Sequence, residues 1–216
     1  LSIGVYCDEN GKTPVLHSVK KAEERILAGE KTKNYVNPNS GTAEYCAAVQ
    51  ALLFGAGHEA VASKRCVTAH TPGGTGALRV AGDFLKFLKP DAKVWLSEPT
   101  WPNHPSIFQA AGVATAAYPY YDAAGKRLDF GPMLDALKKV PAGDFVLLHA
   151  CCHNPTGMDP TVDEWKAVAD VASARGWVPL FDFAYQGLAD GLAEDARGLA
   201  PFVASGREMY VCSSFS

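Results

Sequence analysis

The sequence lacks the usual features of a membrane-spanning, secreted or nucleic-acid-binding protein. It has no run of about 18 apolar residues, the length that crosses a bilayer as a helix. Residues 1–4 carry neither a basic stretch nor a long apolar one, so no signal peptide is visible. The 20 basic and 23 acidic side chains give a formal net charge of −3, whereas a non-specific nucleic-acid binder usually has a basic excess.

Cysteine spacing indicates neither a zinc ribbon nor a disulfide framework. The six cysteines are scattered, Cys151 and Cys152 are adjacent, and no CxxC pair occurs. Zinc ribbons and small disulfide-rich folds need regularly spaced pairs. We therefore expect reduced, mostly buried thiols, as in a cytoplasmic protein.

The sequence does contain alternating helical and strand patterns. Amphipathic runs with cap and glycine signals predict helices at 15–29, 42–54, 77–88, 107–111, 130–139 and 162–175. Short apolar runs predict strands at 65–70, 93–97, 113–118, 145–149, 177–181 and 209–213. Apolar strands separated by helices indicate an α/β fold, with a mostly parallel central sheet flanked by helices. We assign 65–213 to one such domain, with residues 1–60 partly an appendage.

A glycine-rich segment follows the first predicted strand, at the sheet edge where ligands bind in folds of this kind. It runs Pro-Gly-Gly-Thr-Gly over 72–76, and a predicted helix begins directly after it. Its backbone N–H groups could bind a phosphate. The same pattern suits a tight turn, and it matches neither GxxxxGK[ST] nor GxGxxG. The sequence alone leaves both interpretations open.

The other strand ends carry an indole, an amide, a carboxylate and a phenol. Trp101 follows the strand at 93–97 and either stacks on a ligand ring or packs its own loop. Asn154 lies in a turn after 145–149. Asp182 and Tyr185 follow 177–181, where the carboxylate either caps a helix or faces a cation. Together these groups suit a flat, phosphorylated, cationic heteroaromatic ligand such as pyridoxal phosphate.

Histidines near these strand ends do not predict a metal site. His149 and His153 are four residues apart, but they straddle a strand end and a turn, with no glutamate between them. His104, taken alone, is more typical of a hydrogen-bonded structural histidine than of a ligand. We therefore predict no bound metal.

The sequence resembles the fold-type I, pyridoxal-phosphate-dependent class I aminotransferases of the aspartate and aromatic amino acid group. The resemblance runs from Ile3 to Ser216. It is carried by seven segments in order: Gly-Val-Tyr at 4–6, Lys-Asn-Tyr at 33–35, Pro-Gly-Gly-Thr-Gly-Ala-Leu at 72–78, Pro-Thr-Trp-Pro-Asn-His at 99–104, Cys-His-Asn-Pro-Thr-Gly at 152–157, Asp-Phe-Ala-Tyr-Gln-Gly at 182–187 and Ser-Ser-Phe-Ser at 213–216.

The resemblance implies a role for each matching residue. The residues expected to contact the cofactor are Tyr35, Gly73, Gly74, Thr75, Trp101, His104, Asn154, Asp182, Tyr185 and Ser214. Gly73, Gly74, Thr75 and Ser214 would hold the phosphate, and Tyr35 would reach the phosphate of the other subunit in a homodimer. Asp182, supported by His104, would pair with the pyridinium nitrogen.

Catalytic roles are implied for Trp101, Asp182 and Tyr185. Trp101 would stack on the ring, and Asn154 and Tyr185 would donate to its 3-oxygen. Substrate contacts are expected from Ile3, Gly4, Trp101 and Asn154.

The resemblance also implies an activity and a domain plan. The expected reaction moves an amino group between L-aspartate and 2-oxoglutarate, giving oxaloacetate and L-glutamate, in a cytoplasmic homodimer. Aspartate is favoured over aromatic substrates because side chains expected near the site are small or polar: Val5, Cys7, Thr13, Asn34 and Thr75. A tyrosine or phenylalanine aminotransferase and a truncated, non-catalytic cofactor-binding module remain alternatives.

Residues 1–40 would form an N-terminal, site-closing segment and 41–216 the large cofactor domain. The lysine that holds the cofactor as a Schiff base is expected directly after Ser216, and the small C-terminal domain is expected outside this sequence.

Overall fold

A five-stranded parallel sheet forms the centre of the molecule. This computed structural model describes residues 6–35 and 38–215. The sheet contains β1 (Lys93–Glu98), β2 (Ala114–Pro119), β5 (Phe145–His149), β6 (Val178–Phe183) and β7 (Tyr210–Ser213). Its order is β2-β1-β5-β6-β7, and each neighbouring pair is parallel. A small antiparallel pair, β3 (Tyr121–Asp122) and β4 (Arg127–Leu128), lies outside it. The predicted fold class is thereby confirmed.

Helices connect and cover these strands. They are α1 (His17–Gly29), α2 (Ala43–Phe54), α3 (Glu59–Ala62), α4 (Gly73–Leu88), α5 (Asn103–Ala110), α6 (Phe130–Leu137), α7 (Val162–Arg175) and α8 (Ala200–Ala204), with a 3₁₀ turn at Arg197–Leu199 before α8. The described residues contain no helix that is both long and apolar enough to cross a membrane.

Local sequence signals explain why some elements match their predicted bounds. α7 begins with a capping box, in which the Thr161 hydroxyl accepts from the Glu164 N–H and the Glu164 carboxylate accepts from the Thr161 N–H. It ends at Gly176, whose φ of 78° suits a residue without a Cβ. β5 is buried at all five residues, which is why it reads as a continuous apolar run.

The sheet separates two apolar cores because alternate side chains of a strand point to opposite faces. Phe145 and Leu147 of β5 belong to the core that contains α4 and α5. Val146 and Leu148 belong to the core that contains α6, α7 and α8. In contrast, α1 has no buried residue within the described chain. The predicted division at residues 40 and 41 stays a prediction.

The strand predicted at 65–70 is wrong. No ladder pairs with this segment among the described residues. Side chains of α2 bond its backbone instead, since the Gln50 amide donates to the Cys66 carbonyl and the Cys46 thiol to the Thr68 carbonyl. The segment lines a cleft of about 550 Å³ opposite residues of β7. Apolar sequence alone therefore did not make a strand here.

Three further predictions placed boundaries wrongly near the functional segments. Helix α5 begins at Asn103 rather than at residue 107. Helix α4 begins at Gly73 rather than at residue 77, so the glycine-rich segment forms its first turn. Strand β6 continues to Phe183 because β7 pairs with its last residues, Asp182 with Cys212 and Phe183 with Ser213. Asp182 therefore lies within a strand and caps no helix. The short elements β3, β4, α3 and α8 were not predicted.

Candidate active site

A cavity of about 300 Å³ lies where the main strands end. Its lining draws on segments that follow the carboxyl ends of β1, β5, β6 and β7, together with the first turn of α4. The lining residues are Gly74, Thr75, Leu78, Trp101, His149, Cys151, Asn154, Asp182, Ala184, Tyr185 and Ser214. Parallel sheets place their ligands at this edge, and the volume falls at the lower end of the usual range for ligand pockets.

The start of α4 provides an anion-binding corner of the cavity. The first backbone N–H groups of a helix have no intrahelical partner, and no side chain caps this helix at Pro72. A Cβ on Gly74 would lie 3.2 Å from the Cβ of Ser214, so the absence of a side chain lets β7 and α4 approach closely. Uncapped N–H groups beside a serine at a helix N-terminus suit a phosphate.

Asp182 supplies the negative charge of the site. Its side chain is only 12% exposed, and one carboxylate oxygen accepts from Nε2 of the fully buried His104 at 2.9 Å. No lysine or arginine is among the described residues that line the cavity. A buried carboxylate without a cationic neighbour favours a ligand that brings its own positive charge.

A chain of hydrogen bonds behind Asp182 fixes the direction of the His104 proton. The Asn154 backbone N–H donates to Nδ1 of His149 at 3.3 Å, so the His149 proton lies on Nε2, 3.3 Å from the Thr100 hydroxyl. The Thr100 hydroxyl is 2.7 Å from Nδ1 of His104 and donates to it. His104 therefore carries its proton on Nε2, where it faces Asp182.

The surroundings of His149 and His153 hold these two side chains uncharged. Burial, reinforced by the neighbouring His153 and His104, holds the pKa of His149 well below its usual value. Burial likewise lowers the pKa of His153 to about 3. His153 stacks on Tyr120, with ring centroids 3.8 Å apart, and its Nε2 lies 2.9 Å from the Ser97 hydroxyl. A neutral His149 can accept from the Asn154 N–H at Nδ1 while its proton lies on Nε2, facing the Thr100 hydroxyl.

Asn154 and Tyr185 bring two polar groups together on the cavity wall. Burial, and then the charge of Asp182, raise the pKa of the Tyr185 hydroxyl, while the neighbouring Asn154 side chain opposes that rise. Tyr185 therefore keeps its proton at neutral pH, and both residues can donate to an oxygen in the cavity.

Trp101 and His104 lie at different depths beside the cavity. Trp101 lines the cavity and meets the His104 ring edge-on, with centroids 5.2 Å apart. His104 lies in the first turn of α5, behind Asp182 rather than on the cavity surface. The indole is thus available to a ligand ring, whereas the imidazole reaches a ligand only through Asp182.

Two other predicted residues, Gly73 and Tyr35, are not among the described residues that line this cavity. Gly73 begins α4 but lines the larger cleft beside 65–70. Tyr35 is fully exposed, and it is absent from the lining formed by the described residues. Ile3 and Gly4 lie outside the described residues.

Sequence reasoning missed Thr100, and it considered His149 only as a metal ligand. The spacing of four between Thr100 and His104 is a local signal that could have suggested their contact. The contact of Thr100 with His149 spans 49 residues and leaves no local pattern. Within the described part of the chain, no group of three or more histidine, cysteine, aspartate or glutamate side chains could hold a metal ion.

Comparison with known proteins agrees with this geometry. An aspartate aminotransferase of Salmonella typhi is 54% identical over the whole chain, and an aromatic-amino-acid aminotransferase of Pseudomonas aeruginosa is 49% identical. The chain spans about half of these relatives, 54% of each. The crystal structure of an aromatic-amino-acid aminotransferase from Burkholderia pseudomallei, covalently bound to pyridoxal phosphate, matches with a TM-score of 0.95 and 44% identity. That match covers 99% of this chain and 53% of the Burkholderia chain.

The family model described as aminotransferase class I and II matches residues 1–216. A match over this length, with the cavity described above at the strand ends, leads to one assignment. The chain belongs to the class I and II aminotransferases.

Proposed function

We propose that this chain is the cofactor-binding part of a pyridoxal-phosphate-dependent aspartate aminotransferase. The reaction moves the amino group between L-aspartate and 2-oxoglutarate, giving oxaloacetate and L-glutamate. One observation carries the proposal: the partly buried Asp182 carboxylate lies in the same cavity as the uncapped start of α4. That pairing suits a ligand that is cationic at one end and phosphorylated at the other.

The residues present fit pyridoxal phosphate. Gly74, Thr75 and Ser214 would hold the phosphate, together with the helix dipole of α4. Asp182 would hold a proton on the ring nitrogen, and Trp101 would cover one face of the ring. When bound, the cofactor supplies an electron-withdrawing ring and the carbonyl group that carries the amino group.

Each remaining residue has a task that follows from its own contacts. His104 donates to Asp182 and so orients the carboxylate. Asn154 and Tyr185 would donate to the ring oxygen, and Asn154 would also meet the substrate carboxylate. Trp101 would exclude water from the face that it covers.

We further propose a homodimer with shared sites, in the cytoplasm. Tyr35 is fully exposed, so it is free to reach a second subunit. All six cysteines are free thiols, which fits a reducing compartment. Residues 1–40 would close the site, Ile3 and Gly4 would contact substrate, and 41–216 would form the cofactor domain. A lysine directly after Ser216 would hold the cofactor as a Schiff base.

The first experiment measures cofactor binding and turnover of the full-length protein. We expect saturable binding of pyridoxal phosphate by absorbance, loss of most activity in Asp182→Asn, and little change in the matched control Asp170→Asn on the exposed face of α7. Equal activity of Asp182→Asn and the unsubstituted protein would refute the role of the carboxylate. Cofactor binding without turnover would support the non-catalytic module.

The second experiment compares kcat/KM for aspartate and phenylalanine. Aspartate preference is supported by the 54% identity to the Salmonella relative, against 49% to the aromatic enzyme of Pseudomonas. A higher kcat/KM for phenylalanine would make the protein an aromatic amino acid aminotransferase instead.

A further inference from the structure

Two adjacent thiols lie beside the cavity, and the proposed amino transfer uses neither. Cys151 is buried, with 6% of its surface exposed, and lines the cavity together with Asn154. Cys152 is the next residue in the chain, and it is partly exposed. One sulfur is thus accessible from solvent, and its immediate neighbour is protected.

The backbone at these cysteines is held in an unusual conformation. Cys152 has a φ of 50°, in the left-handed region that residues with a Cβ rarely adopt. The Asp159 carboxylate accepts from the backbone N–H of Cys152 at 2.6 Å and of His153 at 2.9 Å. These two bonds help to hold the turn in place, and the next N–H, from Asn154, begins the hydrogen-bond chain to Asp182 through His149.

We propose that Cys151 and Cys152 form a reversible disulfide when a hydroperoxide reaches the site, and that its formation moves Asn154 and lowers aminotransferase activity. The activity part rests on the proposed function, whereas the disulfide itself does not.

Reaction begins at the more accessible sulfur. The Cys152 thiolate attacks one oxygen of the hydroperoxide, the O–O bond breaks, and the alcohol or water leaves with a proton. Cys152 is then a sulfenic acid. The Cys151 sulfur attacks the Cys152 sulfur, the S–O bond breaks, and water leaves with the Cys151 proton. Two thiols and one hydroperoxide thus give one disulfide, one water and one alcohol, or two waters from hydrogen peroxide.

The polarity of the pair favours this order. The neighbouring Cys151 thiol lowers the pKa of the Cys152 thiol, although burial and nearby carboxylates oppose the effect. The Cys152 thiol, together with burial, raises the pKa of Cys151. The thiolate therefore forms first on the exposed sulfur, and the buried sulfur is positioned to resolve the sulfenic acid.

Covalent geometry makes the disulfide easily reduced. Neighbouring Cα atoms are about 3.8 Å apart across a trans peptide, whereas disulfides usually join Cα atoms about 4.4–6.8 Å apart. A bond between adjacent cysteines therefore strains the backbone, and strained disulfides are the labile ones. Relief of that strain would turn the peptide at 151–152 and displace the N–H groups bound to Asp159 and His149.

Peptide mapping of the full-length holoenzyme tests the disulfide without reference to activity. After hydrogen peroxide and alkylation, we expect the peptide containing both cysteines to be two hydrogen masses lighter and unalkylated, and dithiothreitol to restore both thiols. Retention of both thiols, irreversible oxidation of Cys152 alone, or a disulfide to a third cysteine would overturn the proposal.

Activity assays on the same samples test the coupling to the site. We expect at least a fivefold loss in the oxidised enzyme, recovery with dithiothreitol, and no such reversible loss in Cys152→Ser. The matched control Cys66→Ser removes a thiol of similar exposure elsewhere and should retain the response. A disulfide that forms with unchanged activity would refute the movement of Asn154. A holoenzyme without aminotransferase activity even when reduced would refute the proposed function, and the peptide masses would still decide the disulfide.

Discussion

Replacing Thr100 by valine should test the hydrogen-bond chain behind Asp182. The change swaps a hydroxyl for a methyl of similar shape and leaves two buried ring nitrogens without a partner, Nε2 of His149 and Nδ1 of His104. An unsatisfied buried polar group costs about 1–3 kcal/mol. Because His104 is fully buried and His149 is 6% exposed, we expect Thr100→Val to lower the free energy of unfolding by about 2–4 kcal/mol.

Urea unfolding followed by tryptophan fluorescence measures this loss, and Thr100→Ser is the matched control. Serine keeps the hydroxyl and loses one methyl, so its loss should stay near 1 kcal/mol. Because His104 would no longer be held in one tautomer, pyridoxal phosphate should also bind roughly tenfold more weakly to Thr100→Val. Equal stability of the valine and serine variants would refute the chain of donors described here.

Two glycine substitutions and the titration of His153 give three other predictions. Gly74→Ala should weaken the binding of pyridoxal phosphate about tenfold (~1.4 kcal/mol), with little effect on the binding of phosphate-free pyridoxal. Absorbance titration measures both affinities. Gly131→Ala is the control, because a Cβ added there meets nothing within 4 Å. Gly198→Ala places a Cβ 2.9 Å from the Trp165 indole and should reduce the urea-unfolding free energy by about 1–3 kcal/mol, whereas an unchanged midpoint would contradict that packing. The pKa of His153 is about 3 in the folded protein, so near its ordinary pKa this side chain takes up a proton only in the unfolded chain. Its contribution to stability is therefore complete above the ordinary pKa and is lost as the pH falls toward 3. Between pH 7 and pH 5 this should remove about 2 kcal/mol, and a His153→Asn variant with the same pH slope would refute it.

Local sequence signals were sufficient for the parts of the fold that local forces determine. The strand predicted at 145–149 and the helix predicted at 162–175 have those bounds in the structure, because one is buried along its whole length and the other has a cap at each end. The segment predicted as a strand at 65–70 is not one, because a strand needs a hydrogen-bonded neighbour as well as an apolar sequence. The two-residue strands β3 and β4 are too short to show any period.

The site was predictable in its residue types but not in its connections. Asn154, Asp182 and Tyr185 were expected near one ligand because each follows or ends a strand of one sheet, and all three line the cavity. The contact between His104 and Asp182 joins residues 78 apart, and no spacing rule predicts it. It was expected only through the family resemblance.

The register of the sheet decides which side chain reaches the cavity. His149, Asp182 and Cys212 are aligned in one row across β5, β6 and β7. One residue inserted within β6 would turn Asp182 to the opposite face and bring a phenylalanine into its place. Insertions at the exposed residues 188–190 leave this row unchanged. Length variation in functional descendants of this protein, natural or engineered, should therefore concentrate there and be absent from the three strands.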